Sequence, residues 1–434
     1  MQLFGTSGIR RLADRNLIEL ALKVGLAIGQ VYDSVAVGCD TRTSSGTVKY
    51  AFTSGLLAAG SRNCDAGVIP TPTLALTARE FQAGAMITAS HNPPEYNGIK
   101  LLNPDGSAFD SNQREQIESM ILSNTLSVAP WGEMKTSSVY SGAVEKHIEH
   151  ILQGLPVESK IKVVVDCGCG AASVITPHLL RRLGCEVVEL NCNPSGFFPH
   201  AIEPIEANLE ELIQATREVG ADLGIAHDGD ADRMMAVDDK GRFIPGDKLL
   251  VLFAQQTGAK EIVTTIDASM IIDEMGFSVT RTPVGDNYVS EELKRGGDFG
   301  GEPSGAWVFP DNSFCPDGIY AAAQLVAIAG QQKLSRLVDG IPCYPILRDS
   351  VSSEGVVVSN LEKRLLDMKP LSISNIDCIK LNFEDGWLLI RASGTEPKIR
   401  ITTEARSEEQ AHQLYDNSIK AITECMKRNK GVLR

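Results

Sequence analysis

Val163-Val164-Val165-Asp166-Cys167-Gly168 is a short β-branched run that stops at an aspartate and opens into small residues. Val35-Ala36-Val37-Gly38-Cys39-Asp40-Thr41 and Ile262-Val263-Thr264-Thr265-Ile266-Asp267-Ala268-Ser269 repeat the theme. Near-continuous apolar strands that alternate with helical patterns belong to sheets covered on both faces, so each copy reads as the start of an α/β layer with parallel pairs. The copies lie one compact domain apart, roughly 100 to 130 residues, and three related α/β units are expected.

Between these strands, Leu17, Leu20, Ala21, Val24, Ile28 and Val31 fall on one helical face, with Asp14 or Asn16 as the cap. Val48, Phe52, Leu56 and Ala59 form a second stripe, and Leu209, Leu212, Ile213, Thr216 and Val219 a third; all three read as core. After about Asn360 the pattern changes to strands around Ile373–Leu381, Trp387–Ile390 and Ile399–Thr403, then a long helix beginning near Ser407, where Ser407 and Gln410 fit a capping box. This is a smaller α+β unit with antiparallel strands, and the polar Asp349–Glu354 stretch is the expected hinge. The expected domains are 1–150, 151–247, 248–355 and 356–434.

The 434-residue chain is 43% hydrophobic and 22% charged, an ordinary globular balance that excludes wholesale disorder. Its 41 Lys plus Arg against 55 Asp plus Glu give a net charge of −14, the wrong sign for coating nucleic acid or an anionic membrane. A small ligand is the expected partner. No apolar run is long enough to span a bilayer and Met1–Arg10 has no signal-peptide core, so a cytoplasmic protein is expected. The ten cysteines are scattered without a CxxC pair, and Cys39 and Cys167 read as small core residues of a reducing compartment.

Asp228-Gly229-Asp230-Ala231-Asp232-Arg233 follows the apolar Leu223-Gly224-Ile225-Ala226. In an extended segment the three alternating carboxylates point the same way, a set of hard oxygen ligands for a divalent cation. A calcium loop is excluded, because its sixth and twelfth positions, Gly and Glu in an EF-hand, are here Arg233 and Asp239. Mg²⁺ with a position open to a phosphate oxygen fits better.

Thr88-Ala89-Ser90-His91-Asn92-Pro93-Pro94-Glu95-Tyr96-Asn97-Gly98-Ile99-Lys100 is a polar loop whose Pro-Pro and Asn-Gly turns hold the Ser90 hydroxyl in one direction. Serine-hydrolase chemistry would need a GxSxG elbow, which is absent. Arg391-Ala392-Ser393-Gly394-Thr395-Glu396-Pro397-Lys398-Ile399-Arg400 offers guanidinium forks, hydroxyls and glycine-freed amides, the parts of a phosphate cradle, although no Walker A motif occurs. Glu302 and Ser304, in Gly300-Gly301-Glu302-Pro303-Ser304-Gly305, suit sugar hydroxyls. Gly168-Cys169-Gly170-Ala171-Ala172-Ser173 lacks the third glycine of a dinucleotide fingerprint, and His147 with His150 lack a third metal ligand and read as a solvated face.

Together with Gly5-Thr6-Ser7-Gly8-Ile9-Arg10, these motifs occur in the order seen in the α-D-phosphohexomutases, and the chain resembles that family from residue 5 to about 400. The resemblance implies three related α/β domains, a smaller α+β fourth domain and a central cleft. It implies a phosphoserine at Ser90, and Mg²⁺ held by Asp228, Asp230, Asp232 and a phosphoserine oxygen. Arg10, His91, Lys100 and Arg233 match positions that neutralise the phosphoryl group or move protons beside it. Glu302 and Ser304 match the sugar loop, and Arg391, Ser393, Gly394, Thr395 and Arg400 the grip on the phosphate not being transferred. Where many relatives place His after the sugar-loop glycine, this chain has Ala306, which shifts the general-acid role towards Lys100.

Val284-Gly285-Asp286-Asn287-Tyr288-Val289 looks like the corresponding segment of phosphoglucosamine mutases, and Gly285 and Asp286 are assigned to substrate binding on that ground. The expected reaction interconverts glucosamine 6-phosphate and glucosamine 1-phosphate through a bisphosphorylated sugar, with a sugar 1,6-bisphosphate as activator. The alternatives are phosphomannomutase or phosphoglucomutase activity and, more distantly, a Mg²⁺-dependent sugar phosphatase.

Overall fold

The computed structural model describes residues 3–5, 7–123, 125–155, 159–353, 358–374, 378–392 and 398–431. They form two compact units, Met1–Val263 with Gly285–Gly340 and Thr264–Val284 with Ile341–Arg434.

The first unit opens with a six-stranded sheet of β1 (Ile9–Leu12), β2 (Ser34–Cys39), β3 (Arg62–Val68), β4 (Ala83–Ile87), β5 (Tyr96–Leu102) and β6 (Ser137–Val139), in the order β1-β5-β4-β2-β3-β6. β2 pairs in parallel with β3 and β4, whereas β5 is antiparallel to β4 and β1. Period-two alternation sends Val35 and Val37 to one face, where Leu17, Val24, Ile28, Phe52 and Leu56 of two helices cover them, and Ala36 to the other, against Ile69 and Leu74. Asp14 caps the first helix by accepting from the amides of Asn16 and Leu17.

A second sheet repeats the plan with β7 (Lys162–Asp166), β8 (Glu186–Leu190), β9 (Leu223–His227), β10 (Met234–Val237) and β11 (Phe243–Ile244), ordered β11-β10-β9-β7-β8. Its β7–β8 and β7–β9 pairs are parallel, and β10 turns back antiparallel to β9. The third repeat is β12 (Glu261–Thr265), which carries the chain from the first unit into the second, where β13 (Ser278–Thr282) follows. β14 (Phe299–Glu302) and β15 (Ala306–Val308) return to the first unit as an antiparallel pair.

The second unit holds an all-antiparallel sheet of β16 (Ile346–Ser352), β17 (Ser372–Ser374), β18 (Ile379–Phe383), β19 (Gly386–Ala392) and β20 (Lys398–Ala405), ordered β16-β20-β19-β18-β17. Leu361 and Leu365 of one helix and Ile422 of the helix Glu408–Gly431 bury Leu381, Leu388, Ile390 and Ile401 on one face. Trp387 and Leu389 point to the other and pack on Ile266. The fold is thus mixed α/β sheets followed by a smaller antiparallel α+β layer.

Three sequence expectations change. Of the expected hinge, Asp349–Ser352 lie in β16, paired to β20, where their backbone groups complete the edge of the sheet, and Glu354 lies outside the described residues. His147 is not on a solvated face but 1% exposed, with Thr73 Oγ1 at 2.8 Å from Nδ1 and Asp317 Oδ2 at 3.2 Å from Nε2. His150 meets Asn312 Oδ1 at 2.8 Å. At the last helix only one arm of the expected box forms, with the Gln410 amide donating to Ser407 Oγ at 3.3 Å while the two side chains bond each other.

Candidate active site

Ser90 sits just past the C-terminal end of β4, where an α/β layer presents its loops. Its φ of 51° is left-handed, a strained conformation for a residue with a Cβ. Arg42, two residues beyond the Asp that follows β2, holds it there. Its guanidinium donates to the carbonyl oxygens of Ser90 at 2.7 Å, Asn92 at 2.6 Å, Pro93 at 2.7 Å and Tyr96 at 2.9 Å. Asp40 pairs with Arg42 Nε at 3.1 Å and accepts from Ser45 and Thr88 hydroxyls at 2.6 and 2.7 Å. Thr88 Oγ1 in turn accepts from the Ser90 amide at 2.8 Å. The loop thus hangs from a buried ion pair.

The aspartate trio lies between β9 and β10. Its carboxylates converge, but not by strand alternation: residues 228–232 form a turn with Ala231 at φ 56°, which folds the three side chains together. One oxygen from each lies within 4.8 Å of the others. Gly229 is required where this turn meets the serine loop, since a Cβ there would come within 2.6 Å of the Ser90 carbonyl oxygen.

Ser90 Oγ donates to Asp228 Oδ2 at 2.6 Å, and His91 Nδ1 lies 3.2 Å from the same hydroxyl. Asp230 Oδ2 accepts from Thr71 Oγ1 and, at 2.7 Å, from Lys100 Nζ, which also bonds Asp232 Oδ2. Asp230 Oδ1 and Asp232 Oδ1 are buried without any hydrogen-bond partner. Two orphaned carboxylate oxygens beside a third carboxylate and a hydroxyl form a hard, anionic donor set that suits Mg²⁺.

The electrostatics follow from burial. Asp228 and Asp232 are raised by desolvation and then by their acidic neighbours. In Asp230 the same desolvation is outweighed by the Lys100 charge and the bonds from Lys100 and Thr71, and its pKa falls below the ordinary range. Burial opposes the charge on Lys100, yet Asp230 and Asp232 overcome it and hold the ammonium protonated. His91 is pushed down to about 2 by burial and by the charges of Arg233, Arg10 and Lys100, so it is neutral.

The remaining candidates surround this core. Arg10, on β1, donates to Asn92 Oδ1 at 3.1 Å, and Arg233 lies 3.7 Å from Glu203. Burial opposes the Arg233 charge, but Asp228, Glu302, Asp232 and Glu203 raise its pKa. Glu302, 6% exposed at the end of β14, accepts from the Gly285 amide at 2.7 Å and from Ser304 Oγ at 3.2 Å. Asp286 accepts from Ser7 Oγ at 2.8 Å. Trp307 Nε1 donates to Met234 O at 2.8 Å and fixes β15, with Ala306, against the strand leaving the aspartate turn. All these residues belong to the first unit.

Arg391 and Arg400 belong to the second unit, where they are register partners across β19 and β20. Ser393, Gly394 and Thr395 lie outside the described residues. Sequence reasoning missed Arg42 and Thr71. A cation two residues after a strand-ending Asp was the available signal for Arg42; for Thr71, which follows Pro70 at a helix start, there was none.

Profiles for the four domains of one family match almost the whole chain: Phosphoglucomutase/phosphomannomutase, alpha/beta/alpha domain I at residues 1–127, domain II at 145–241, domain III at 245–344 and the C-terminal domain at 355–421. A probable phosphoglucosamine mutase of Methanocella arvoryzae is 45% identical over 98% of this chain and 99% of its own length. The phosphoglucosamine mutase of Methanocaldococcus jannaschii is 40% identical over 98% and 99%. Among solved structures, a phosphoglucomutase/phosphomannomutase family protein of Burkholderia thailandensis superposes with a TM-score of 0.86 at 27% identity, covering 98% of this chain and 97% of that one.

Proposed function

Because the chain belongs to the phosphoglucomutase/phosphomannomutase family, we propose that it is a phosphosugar mutase interconverting glucosamine 6-phosphate and glucosamine 1-phosphate. The observation that carries the reading is the Ser90 hydroxyl, 2.6 Å from Asp228 and beside two carboxylate oxygens that have no partner. The amino-sugar assignment rests on the archaeal phosphoglucosamine mutases at 40–47% identity. The four domains are assigned to 1–150, 151–247, 248–355 and 356–434, with the serine loop, the aspartate turn, the sugar loop and the phosphate grip in turn.

In this mechanism Ser90 carries the phosphoryl group. The free hydroxyl of the bound monophosphate attacks phosphorus, the bond from phosphorus to Ser90 Oγ breaks, and a bisphosphorylated sugar forms. The sugar turns around, and Ser90 Oγ attacks its other phosphate, restoring phosphoserine and leaving the isomeric monophosphate. A free sugar 1,6-bisphosphate primes a dephosphorylated serine by the same step. Asp228, Asp230 and Asp232, with an oxygen on Ser90, would hold Mg²⁺, which supplies charge neutralisation at the transferring phosphoryl group.

The chain's own groups do the rest. Arg42 fixes the direction of Ser90 from behind, while Arg10 and Arg233 supply fixed positive charge beside it. Lys100, held protonated by Asp230 and Asp232, gives a proton to the departing Ser90 Oγ and regains one from the attacking sugar hydroxyl, and the return step runs the same exchange in reverse. Glu302 and Ser304 read sugar hydroxyls with Gly285 and Asp286, and the Arg391–Arg400 pair, with Ser393, Gly394 and Thr395, grips the phosphate that stays. A grip separate from the transfer site lets both orientations of the sugar use one phosphate anchor.

The test is a comparison of kcat/KM for glucosamine, glucose and mannose phosphates with a bisphosphate primer. The amino sugar is expected to be preferred. Preference for glucose or mannose phosphate would reassign the substrate, and steady release of inorganic phosphate without isomerisation would replace the mutase with a phosphatase.

A further inference from the structure

Behind the aspartate turn lies a thiol pair that the mechanism does not use. Cys167 and Cys192 stand just past the ends of the parallel neighbours β7 and β8, with their sulfurs 3.1 Å apart. Cys167 is fully buried, whereas Cys192 is only partly buried. The separation is about 1 Å longer than the ~2.04 Å of a disulfide, and too short for two thiolates sharing one tetrahedral soft cation at ~2.3 Å each. The backbone around the pair is already strained: Cys169 and Asn191 hold left-handed φ values of 56° and 51°.

The same turn touches the catalytic loops. The Ala171 amide donates to Gly229 O at 2.9 Å, and a Cβ on Gly170 would meet that oxygen at 2.9 Å. Thr41 Oγ1, next to Arg42, donates to Cys169 O at 2.9 Å. A covalent change at Cys167 therefore pulls on backbone that contacts both the aspartate turn and the Asp40–Arg42 anchor.

We propose that Cys167 and Cys192 form a reversible disulfide that couples oxidation to the geometry of the aspartate turn. With a peroxide as oxidant, the more accessible Cys192 thiolate attacks a peroxide oxygen, the O–O bond breaks, and a sulfenic acid and hydroxide result. Cys167 sulfur then displaces the sulfenic oxygen, which leaves as water with the Cys167 proton. Burial, and then Cys192 itself, hold the Cys167 thiol's pKa well up, consistent with its acting second as the resolving thiol.

The experiment treats the full chain with hydrogen peroxide, alkylates remaining thiols and maps peptides by mass. The expected result is a linked Cys167–Cys192 peptide lighter by two hydrogens, reversed by dithiothreitol, absent in Cys192→Ser and retained in Cys169→Ser. Both thiols still alkylated, Cys192 trapped as sulfinic acid with Cys167 free, or a bridge to Cys169 would each overturn the pair. Turnover is expected to fall severalfold on oxidation and recover on reduction, with Cys192→Ser insensitive. A bridge that forms without changing turnover would overturn the coupling. Only this activity arm rests on the mutase reading; the peptide map does not.

Discussion

Arg42 Nη2 donates to the carbonyl oxygen of Ser90 at 2.7 Å, with no polar atom of the Ser90 side chain involved. The guanidinium acts on the backbone of the serine loop and leaves the hydroxyl free for Asp228. Lysine cannot reproduce a planar fork that reaches four carbonyls. Arg42→Lys is expected to fold, with kcat reduced by more than tenfold and KM nearly unchanged. Arg42→Ala leaves Asp40 buried and unpaired, at a cost of about 3 to 5 kcal/mol, readable by urea unfolding.

Asp228 and Asp232 have raised pKa values in the folded chain. Stability from their protonated forms is complete below the unfolded carboxylate value and is lost as pH rises through the raised folded values. The metal-free protein should therefore lose stability as pH rises above about 4, and Asp228→Asn should melt higher than the parent at pH 8 while losing turnover. Calorimetry at two pH values decides this; a lower melting point for the variant would contradict it.

Mg²⁺ should reverse that penalty. At a concentration one hundred times Kd the stabilisation is about 2.7 kcal/mol, and Asp230→Asn should lose most of it along with orders of magnitude in turnover. Thermal shift with and without EDTA is the measurement. An unchanged shift in Asp230→Asn would show the trio to be structural.

His227 is buried and pushed down to about 4, by desolvation first, which its bond to the Arg233 carbonyl and the acids Asp317 and Asp166 only partly offset. A depressed histidine supports the fold above its unfolded value and withdraws that support as pH falls, here between about 6.5 and 4. The size is about 3 kcal/mol at most. His227→Gln should flatten the stability curve across that window, as urea midpoints at pH 7 and pH 5 would report.

Much of this was legible because it is local. Asp40, just past β2, and Asp166, at the end of β7, accept the amide two residues on, Arg42 at 3.0 Å and Gly168 at 2.8 Å, so the repeated Asp read from sequence is a repeated turn. Ser90 and the trio stood out for the same reason. What escaped depends on distant pairing. Arg42 matters because residues 90–96 fold over it, Thr71 because its amide and hydroxyl reach Asp230, and Asp349 lies in a strand because β20 lies beside it. The sequence shows the trio, but its convergence comes from the turn through Ala231 and not from strand alternation.

In the proposed reaction Ser90 carries the phosphoryl group between sugars. Protein incubated with hexose 1,6-bisphosphate labelled in both phosphates should retain one label per chain on the Ser90 peptide. Unlabelled glucosamine 6-phosphate should then discharge it into sugar bisphosphate. Label on another residue, label released as inorganic phosphate, or full turnover in Ser90→Ala would contradict the account.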